Sequence, residues 1–214
     1  MTGTITILGS GNMARGIGTR AVVAGRTLQI LSRDTEQAAA LAAELGANVT
    51  SGSIDSVPAG DIVVLAVPYD AARELVTGYG AALAGKVVVD ITNPINFATF
   101  DSLSVAPGTS AAEELAALAA PGVTVVKAFN TTFAGTLVEG SVAGVPLDVF
   151  VAGDSDEAKA SVSSFITDAG LRAIDAGPLR RARELEGFQL LIMTLQLNPA
   201  HESFNWNTAV KVLA

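Results

Sequence analysis

The residues best suited to chemistry near the start of the chain form a glycine-rich motif. It follows the apolar run Thr4–Leu8 and reads Gly9, Ser10, Gly11, Asn12, Met13 and Ala14. A strand that turns this way into a helix presents unpaired N–H groups and a partial positive charge to a bound anion. Gly9 permits the tight turn, Gly11 permits close approach of a pyrophosphate, and Ala14 lets the helix pack on the strand. The motif therefore predicts a dinucleotide site that holds a redox cofactor.

The end of the second predicted strand, residues 28–31, indicates which dinucleotide binds. Ser32, Arg33 and Asp34 follow this strand. A carboxylate at this place binds the ribose hydroxyls of NAD, whereas a guanidinium and a hydroxyl bind the 2′-phosphate of NADP. We therefore assign Ser32 and Arg33 to NADP and predict that Asp34 caps the next helix. Asp34 as the ribose carboxylate is the alternative.

The composition describes a compact α/β enzyme-like protein. The chain has 214 residues, of which 50% are hydrophobic and 16% charged, with a net charge of −8 and no cysteine. This charge argues against nucleic acid or an anionic membrane as a partner. The missing cysteine excludes disulfides, thiolate catalysis and Cys-ligated metals. No apolar run is long enough to span a membrane, and the start of the chain does not resemble a signal segment, so we expect a cytoplasmic protein.

Strand and helix patterns alternate along the chain, which predicts a Rossmann-like α/β fold with a doubly wound parallel sheet. The continuous apolar runs 61–67 and 87–91 are typical of parallel strands that are covered on both faces. We expect residues 1–145 to form an NADP-binding domain. Residues 146–214 are expected to form an α/β extension of the sheet that closes a second-substrate pocket and ends in a long helix over about residues 180–197.

Ligands of open α/β sheets bind beyond the carboxyl ends of the strands. The candidates at the later ends are Val67, Pro68, Asn93, Asn130, Gly177, Pro178 and Leu179. Asn93 and Asn130 suit recognition of a carboxamide or a flat heterocycle, or they are simple turn residues. The sequence contains no Tyr-x-x-x-Lys, His–carboxylate or metal-ligand pattern. This predicts chemistry without a protein acid, such as hydride exchange between two stacked cofactors.

Lys127 is the exception among these strand-end residues, because it is a candidate proton source on a predicted strand. The alternative is that Lys127 bonds strand-end carbonyls or reaches solvent. We interpret the single histidine, His201, as a surface residue.

Most of the chain resembles the NADP oxidoreductases that depend on the deazaflavin coenzyme F420. The segments that carry this resemblance are the glycine motif, Ser32-Arg33, Ala66-Val67-Pro68-Tyr69 and Asp175-Ala176-Gly177-Pro178-Leu179. Residues 127–132 are similar to the cytosolic oxidoreductase domain of the STEAP metalloreductases, which pass hydride from NADPH to a flavin. The glycine motif is one residue shorter than in the archaeal members, and Asn130 stands where they carry a histidine.

The resemblance implies an enzyme that uses NADP(H) and a flat tricyclic partner, coenzyme F420. By the family pattern, the adenosine and phosphate end is held by Ser10, Asn12, Met13, Ser32 and Arg33. Val67 and Pro68 then line the nicotinamide side, and the Asn130 loop and Gly177-Pro178-Leu179 line the deazaflavin pocket. Two alternatives are an NADPH reductase of FMN, FAD, a small carbonyl or an imine, with Lys127 or Tyr69 as its proton source, and a non-catalytic dinucleotide sensor. A homodimer is expected, and the C-terminal Phe204 and Trp206 either pack on the core or form its contact.

Overall fold

The computed structural model describes residues 3–213. The strands are β1 (Thr4–Leu8), β2 (Thr27–Ser32), β3 (Val49–Ser53), β4 (Ile62–Leu65), β5 (Val87–Asp90), β6 (Thr124–Lys127), β7 (Ser141–Val142), β8 (Val145–Pro146), β9 (Asp148–Gly153) and β10 (Arg172–Gly177). The α-helices are α1 (Asn12–Val23), α2 (Thr35–Leu45), α3 (Tyr69–Tyr79), α4 (Ala111–Leu118), α5 (Ala134–Glu139), α6 (Asp156–Asp168) and α7 (Ala182–Leu197). Single turns of 3₁₀ helix lie at Gly80–Leu83 and Leu179–Arg181.

The central sheet confirms the Rossmann-like α/β fold. Eight strands lie in the order β10-β9-β6-β5-β4-β1-β2-β3, and β7 pairs with β8 in a separate hairpin. Strand β1 pairs in parallel with β2 on one side and with β4 on the other, so the winding direction reverses at β1. A crevice opens at such a reversal, beyond the carboxyl ends of the strands. The chain ends its regular structure in the long helix α7, as predicted.

The sheet differs from the prediction at one edge, where β9 runs antiparallel to β6. A parallel neighbour needs a crossover that carries the chain back across the sheet. The connection after β6 contains only the six-residue helix α5 and the hairpin β7–β8. Strand β9 therefore starts at the end of the sheet where β6 finishes, and β10, parallel to β9, shares its direction.

Alternate residues of the central strands point to opposite faces of the sheet, and helices cover both faces. In β4, Ile62 and Val64 join the apolar cluster on the side of α1, α2 and α6, whereas Val63 and Leu65 join the cluster on the side of α3 and α4. Within residues 3–213, no helix has both the length and the apolar character that a membrane span requires.

Candidate functional site

The glycine motif forms the turn between β1 and α1. Gly9 has a φ of +115°, and a Cβ at this position would lie 2.3 Å from the carbonyl oxygen of Ala66. Gly11 is the N-cap of α1, and no side chain caps the helix there. Apart from its two neighbours in the chain, no atom lies within 4 Å of the position that a Cβ on Gly11 would take. The first turn of α1 thus faces open space at a helix N-terminus, an arrangement that suits a phosphate group.

A cavity of about 250 Å³ lies beside this turn, between the ends of β1, β2 and β4. Its lining includes Gly9, Ser10, Gly11, Ser32, Arg33, Gln37, Ile54, Ala66, Val67, Pro68, Ala71, Glu74 and Leu75. Among the described residues, the exposed Arg33 side chain has no bonding partner, and it borders this cavity. A free guanidinium at this place is available to an anionic ligand.

The polar groups beside Arg33 hold one another in place. The Ser10 hydroxyl lies 2.9 Å from that of Ser32 and donates to Gln37 Oε1 at 2.6 Å. Asp34 accepts from the Gln37 amide at 2.9 Å as the N-cap of α2, so the capping prediction is confirmed. The carboxylate of Asp34 is therefore used by its own helix. Gln37 was not predicted as a site residue, and only its place in the first turn of α2 indicates it.

A second cavity of about 520 Å³ continues from the first one. The two share Gly11, Ala66, Val67 and Pro68, so they form one cleft along the carboxyl ends of the strands. The rest of its lining comprises Asn12, Met13, Tyr69, Asp70, Ile91, Thr92, Asn93, Pro94, Ile95, Phe97, Ser104 and Met193. Predicted residues from four separate segments, including Met13, Pro68 and Asn93, thus meet at this cleft.

Asn93 and Asn130 are joined at adjacent strand ends. Asn93 Nδ2 donates to the Asn130 carbonyl oxygen at 2.9 Å, and Asn130 Nδ2 donates back to Asn93 Oδ1 at 3.0 Å. Asn130 Nδ2 also reaches the carbonyl oxygen of Leu185 on α7 at 3.2 Å. Asn93 lines the cavity, whereas Asn130 lies behind it and holds the Asn93 side chain.

Gly177, Pro178 and Leu179 line neither cavity of the cleft, and their place in a deazaflavin pocket stays a prediction. Both β9 and β10 run antiparallel to β6. Gly177 lies opposite Ala152, which pairs with Lys127, the last residue of β6, so β10 ends level with the carboxyl end of β6. The C-terminal segment instead reaches the cleft through Met193 on α7. Neither Met193 nor Phe97 carried a signal in the sequence.

The two candidate proton donors are both bound to carboxylates. The Lys127 ammonium is fully buried and donates to Asp90 Oδ2, Glu186 Oε1 and the Thr92 carbonyl oxygen at 2.7, 2.7 and 2.6 Å. This geometry favours the alternative in which Lys127 bonds a strand-end carbonyl. The Tyr69 hydroxyl donates to Glu114, and burial together with this hydrogen bond raises the pKa of Tyr69.

The cleft fits a phosphorylated dinucleotide at its smaller end. The open, uncapped N-terminus of α1 at Gly11 and the free Arg33 are two separate features that favour an anionic ligand. No group of three or more metal-ligating side chains occurs among the described residues.

The comparisons with known proteins agree with this geometry. Residues 4–94 match the family model described as NADP oxidoreductase, coenzyme F420-dependent. The chain is 35% identical over 189 residues to the metalloreductase STEAP3 of Rattus norvegicus. This alignment spans 88% of this chain but only 37% of the length of that relative. It is 29% identical over 202 residues to the F420-dependent NADP reductase of Methanothermobacter thermautotrophicus, covering 88% of this chain and 87% of the relative.

A solved structure from Arthrobacter sp. FB24 shares the whole architecture. That protein is described as a candidate F420-dependent NADP-reductase; it is 28% identical, with a TM-score of 0.80 over 97% of this chain and 99% of its own. The family match covers the glycine motif, the Ser32-Arg33 segment and residues 91–94 after β5, all of which border the cleft. Residues 4–94 thus match the family of coenzyme F420-dependent NADP oxidoreductases, and the relatives together support an NADP-dependent oxidoreductase.

Proposed function

We propose that this protein exchanges a hydride between NADP(H) and a deazaflavin, coenzyme F420. The observation that carries the proposal is the larger cavity, which continues the dinucleotide cleft. The two candidate proton donors, Tyr69 in its wall and Lys127 near it, are both hydrogen-bonded to carboxylates. Reduction of a carbonyl needs a placed proton donor, whereas hydride exchange between two flat rings needs only stacking and exclusion of water.

The smaller cavity and the adjoining first turn of α1, which borders the larger cavity, suit the nucleotide end of NADP(H). Asn12 and Met13 present the first amides of α1 to the pyrophosphate, and Ser32 and Arg33 bind the 2′-phosphate. NADP(H) supplies the hydride when it is bound. Val67 and Pro68 lie where the two cavities join and form an apolar wall for the nicotinamide.

The larger cavity suits a flat acceptor because most of its wall is apolar. Phe97 stands at its mouth with 70% of its surface exposed, supported edge-on by Phe100 at a ring distance of 5.8 Å. Met13 and Met193 add flexible thioether walls that adapt to a ring surface. We assign residues 1–145 to NADP binding and residues 146–214 to completion of the acceptor pocket, through Met193.

A flavin acceptor is the second candidate. The identity to the metalloreductase, 35%, exceeds the 29% to the archaeal reductase, and Asn130 stands where the archaeal enzymes have a histidine. FMN and FAD are also flat tricyclic rings, so they meet the same apolar walls.

Anaerobic mixing with NADPH tests both candidates. Oxidised deazaflavin, FMN and FAD are offered in parallel, and the loss of acceptor absorbance is followed. Rapid loss with the deazaflavin alone supports the proposal. NADPH oxidation with a flavin alone moves the protein to the second candidate, and tight NADPH binding with no turnover of any acceptor leaves the sensor alternative.

We also propose a homodimer that forms through α7. Phe188, Leu191 and Leu197 are exposed on this helix, Leu191 with 54% of its surface, and an unpaired apolar face of this kind favours association. Trp206 packs edge-on against Phe133 of the same chain, which favours the alternative in which it packs on the core, although 39% of its surface is exposed. Sedimentation at micromolar concentration is expected to give a dimer and Leu191→Arg a monomer. A parent mass near 22 kDa would contradict the proposal.

A further inference from the structure

A buried charged cluster lies directly behind the acceptor end of the cleft. It consists of Asp90 at the end of β5, Lys127 at the end of β6 and Glu186 on α7, whose side chains are all 0% exposed. Lys127 Nζ lies 2.7 Å from one oxygen of each carboxylate. Three elements that are distant in sequence are therefore joined at one buried point, which the proposed hydride exchange does not itself use.

The cluster fixes the backbone of Thr92 from both sides. Asp90 Oδ1 accepts a hydrogen bond from the Thr92 amide at 2.8 Å, and Lys127 Nζ donates to the Thr92 carbonyl oxygen at 2.6 Å. Thr92 and Asn93 line the larger cavity. The position of this wall is therefore set by the two charged side chains.

Glu186 connects the same cluster to α4 and α7. Its Oε2 accepts from the Ala111 amide at 3.0 Å and its Oε1 from the Ala112 amide at 3.4 Å, at the N-terminus of α4. A helix N-terminus stabilises the carboxylate there. Met193 follows Glu186 by seven residues on α7, about two helical turns, and so lies on a similar side of the helix at the cavity wall.

Stability alone does not account for this arrangement. Buried ion pairs often contribute less than apolar side chains of the same volume would, whereas their directional bonds select one geometry. Helix α7 turns Glu186, Gln189 and Gln196 inward and leaves Phe188 and Leu191 exposed. Burial also raises the pKa of the Glu186 carboxyl, against the opposing effect of the Lys127 ammonium.

We infer that Glu186 is a positioning residue that, with Lys127 and Asp90, holds the Thr92–Asn93 wall and the Met193 wall of the acceptor cavity in one fixed relation. The cluster acts on the cavity through the Thr92 backbone on one side and through α7 on the other. Its role in turnover rests on the proposed function, but its role in positioning does not.

Hydrogen exchange of the full-length protein tests the positioning directly. Glu186→Gln keeps the side-chain volume and replaces one acceptor oxygen with a donor. Glu184→Gln is the matched control, because Glu184 lies on the same helix, is exposed and pairs only with Arg181 among the described residues. We expect Glu186→Gln to accelerate exchange at least tenfold in residues 90–95, at the start of α4 and in α7. The control is expected to leave all three unchanged.

Faster exchange confined to α7 would overturn the inference, because it would show a local helix contact without coupling to the Thr92–Asn93 wall. If Glu186→Gln does not fold, Glu186→Asp keeps the charge but shortens the side chain, and the same three segments are compared. If hydrogen exchange in Glu186→Asp changes by the same factor in every segment of the protein, the inference is equally overturned.

Kinetics then separate this inference from the proposed function. The NADPH dissociation constant of Glu186→Gln is expected to stay within twofold of the parent value, while acceptor KM rises or kcat falls at least tenfold. If the parent protein turns over no acceptor, the proposed function fails, yet the exchange experiment still decides the positioning role. An equal loss of NADPH and acceptor binding would count against positioning, since it would indicate general damage.

Discussion

The two ends of the cleft are built in different ways. At the smaller cavity, the residues predicted to bind phosphate come from two short segments near the start of the chain, Gly9–Gly11 and Ser32–Arg33, and the Arg33 side chain is free. The acceptor end is assembled from loops and helices far apart in sequence, and buried contacts fix its walls. One end therefore depends on local backbone geometry, whereas the other depends on tertiary structure.

This difference predicts which substitutions act locally and which act at a distance. At the phosphate end, a change to a side chain or Cβ that meets no other part of the protein is expected to alter ligand binding and to leave the fold unaffected. At the acceptor end, residues that never touch a ligand, such as Asp90 and Glu186, are expected to matter because they hold those that do.

The same substitution at two glycines tests the local nature of the phosphate end. Gly9→Ala is expected to cost about 3 kcal/mol or more of unfolding free energy, since the new Cβ meets the Ala66 carbonyl at a positive φ. Gly11→Ala is expected to keep the unfolding free energy within about 0.5 kcal/mol of the parent value. It is nevertheless expected to lower NADPH affinity at least about tenfold, because the Cβ enters the space of the ligand.

Urea unfolding and NADPH titration measure the two effects. Gly25→Ala serves as the control for backbone strain, because Gly25 has a φ of +67° but no atom within 4 Å of its Cβ position. A Gly11→Ala protein that binds NADPH like the parent would show that the ligand does not approach this turn.

Arg33 tests the choice of cofactor. Arg33→Ala is expected to weaken NADPH binding about ten- to a hundredfold, from the loss of about 1.5–3 kcal/mol for a charge-assisted hydrogen bond. NADH binding is expected to remain unchanged because NADH lacks the 2′-phosphate. Arg181→Ala, at an exposed ion pair outside both cavities, is the control. An equal, small effect on both cofactors would refute the assignment.

The sequence predicted most of the turn that borders the smaller cavity, because strand, glycine turn and helix cap follow one another along the chain. Gly9, Gly11, Ser32 and Arg33 all border the smaller cavity, and Asp34 caps its helix as expected. Each of these predictions needed only local periodicity and the conformational freedom of glycine.

The acceptor end was less predictable, since its residues meet only through sheet topology. Gly177, Pro178 and Leu179 were predicted at a strand end of a parallel sheet, whereas β9 and β10 run antiparallel to β6 and these residues line neither cavity. Phe97 lies in an irregular loop, and Met193 on a helix whose inward face is largely polar. Neither position shows a pattern that hydrophobic periodicity can detect.

Phe97 tests the aromatic wall at the acceptor end. Phe97→Ala is expected to weaken binding of the deazaflavin and of FMN about three- to tenfold, which corresponds to the roughly 0.5–1.5 kcal/mol of an aromatic pair. NADPH affinity is expected to be unchanged. Fluorescence titration measures both, with Leu118→Ala as the control at an exposed apolar residue outside the cleft. Unaltered affinity for both rings would place the acceptor elsewhere.

A substitution of Asp148 tests whether the C-terminal segment helps to hold α7 at the acceptor end of the cleft. The backbone amide of Trp206 donates to Gln196 Oε1 near the end of α7 at 3.1 Å, so the C-terminal segment is bound to that helix. Asp148 holds the segment by accepting from Lys211 and from the Val212 amide, and it also pairs with Arg172. Burial alone would raise the pKa of Asp148, but these hydrogen bonds together lower it to about 2.

The sign of the pH effect follows from that lowered pKa. The pKa of an aspartate in the unfolded chain is about 3.9. The ionised Asp148 therefore stabilises the fold above about pH 4, and this stabilisation is lost as the pH falls toward 2. Asp148→Asn is expected to remove about 1–2 kcal/mol at pH 7 and to flatten this acid dependence. The single Trp206 reports the segment by fluorescence, with Asp101→Asn as the exposed control. Parent and Asp148→Asn curves that coincide from pH 7 to 3 would show that Asp148 does not anchor the segment, and would confine the support of the acceptor end to the cluster around Glu186.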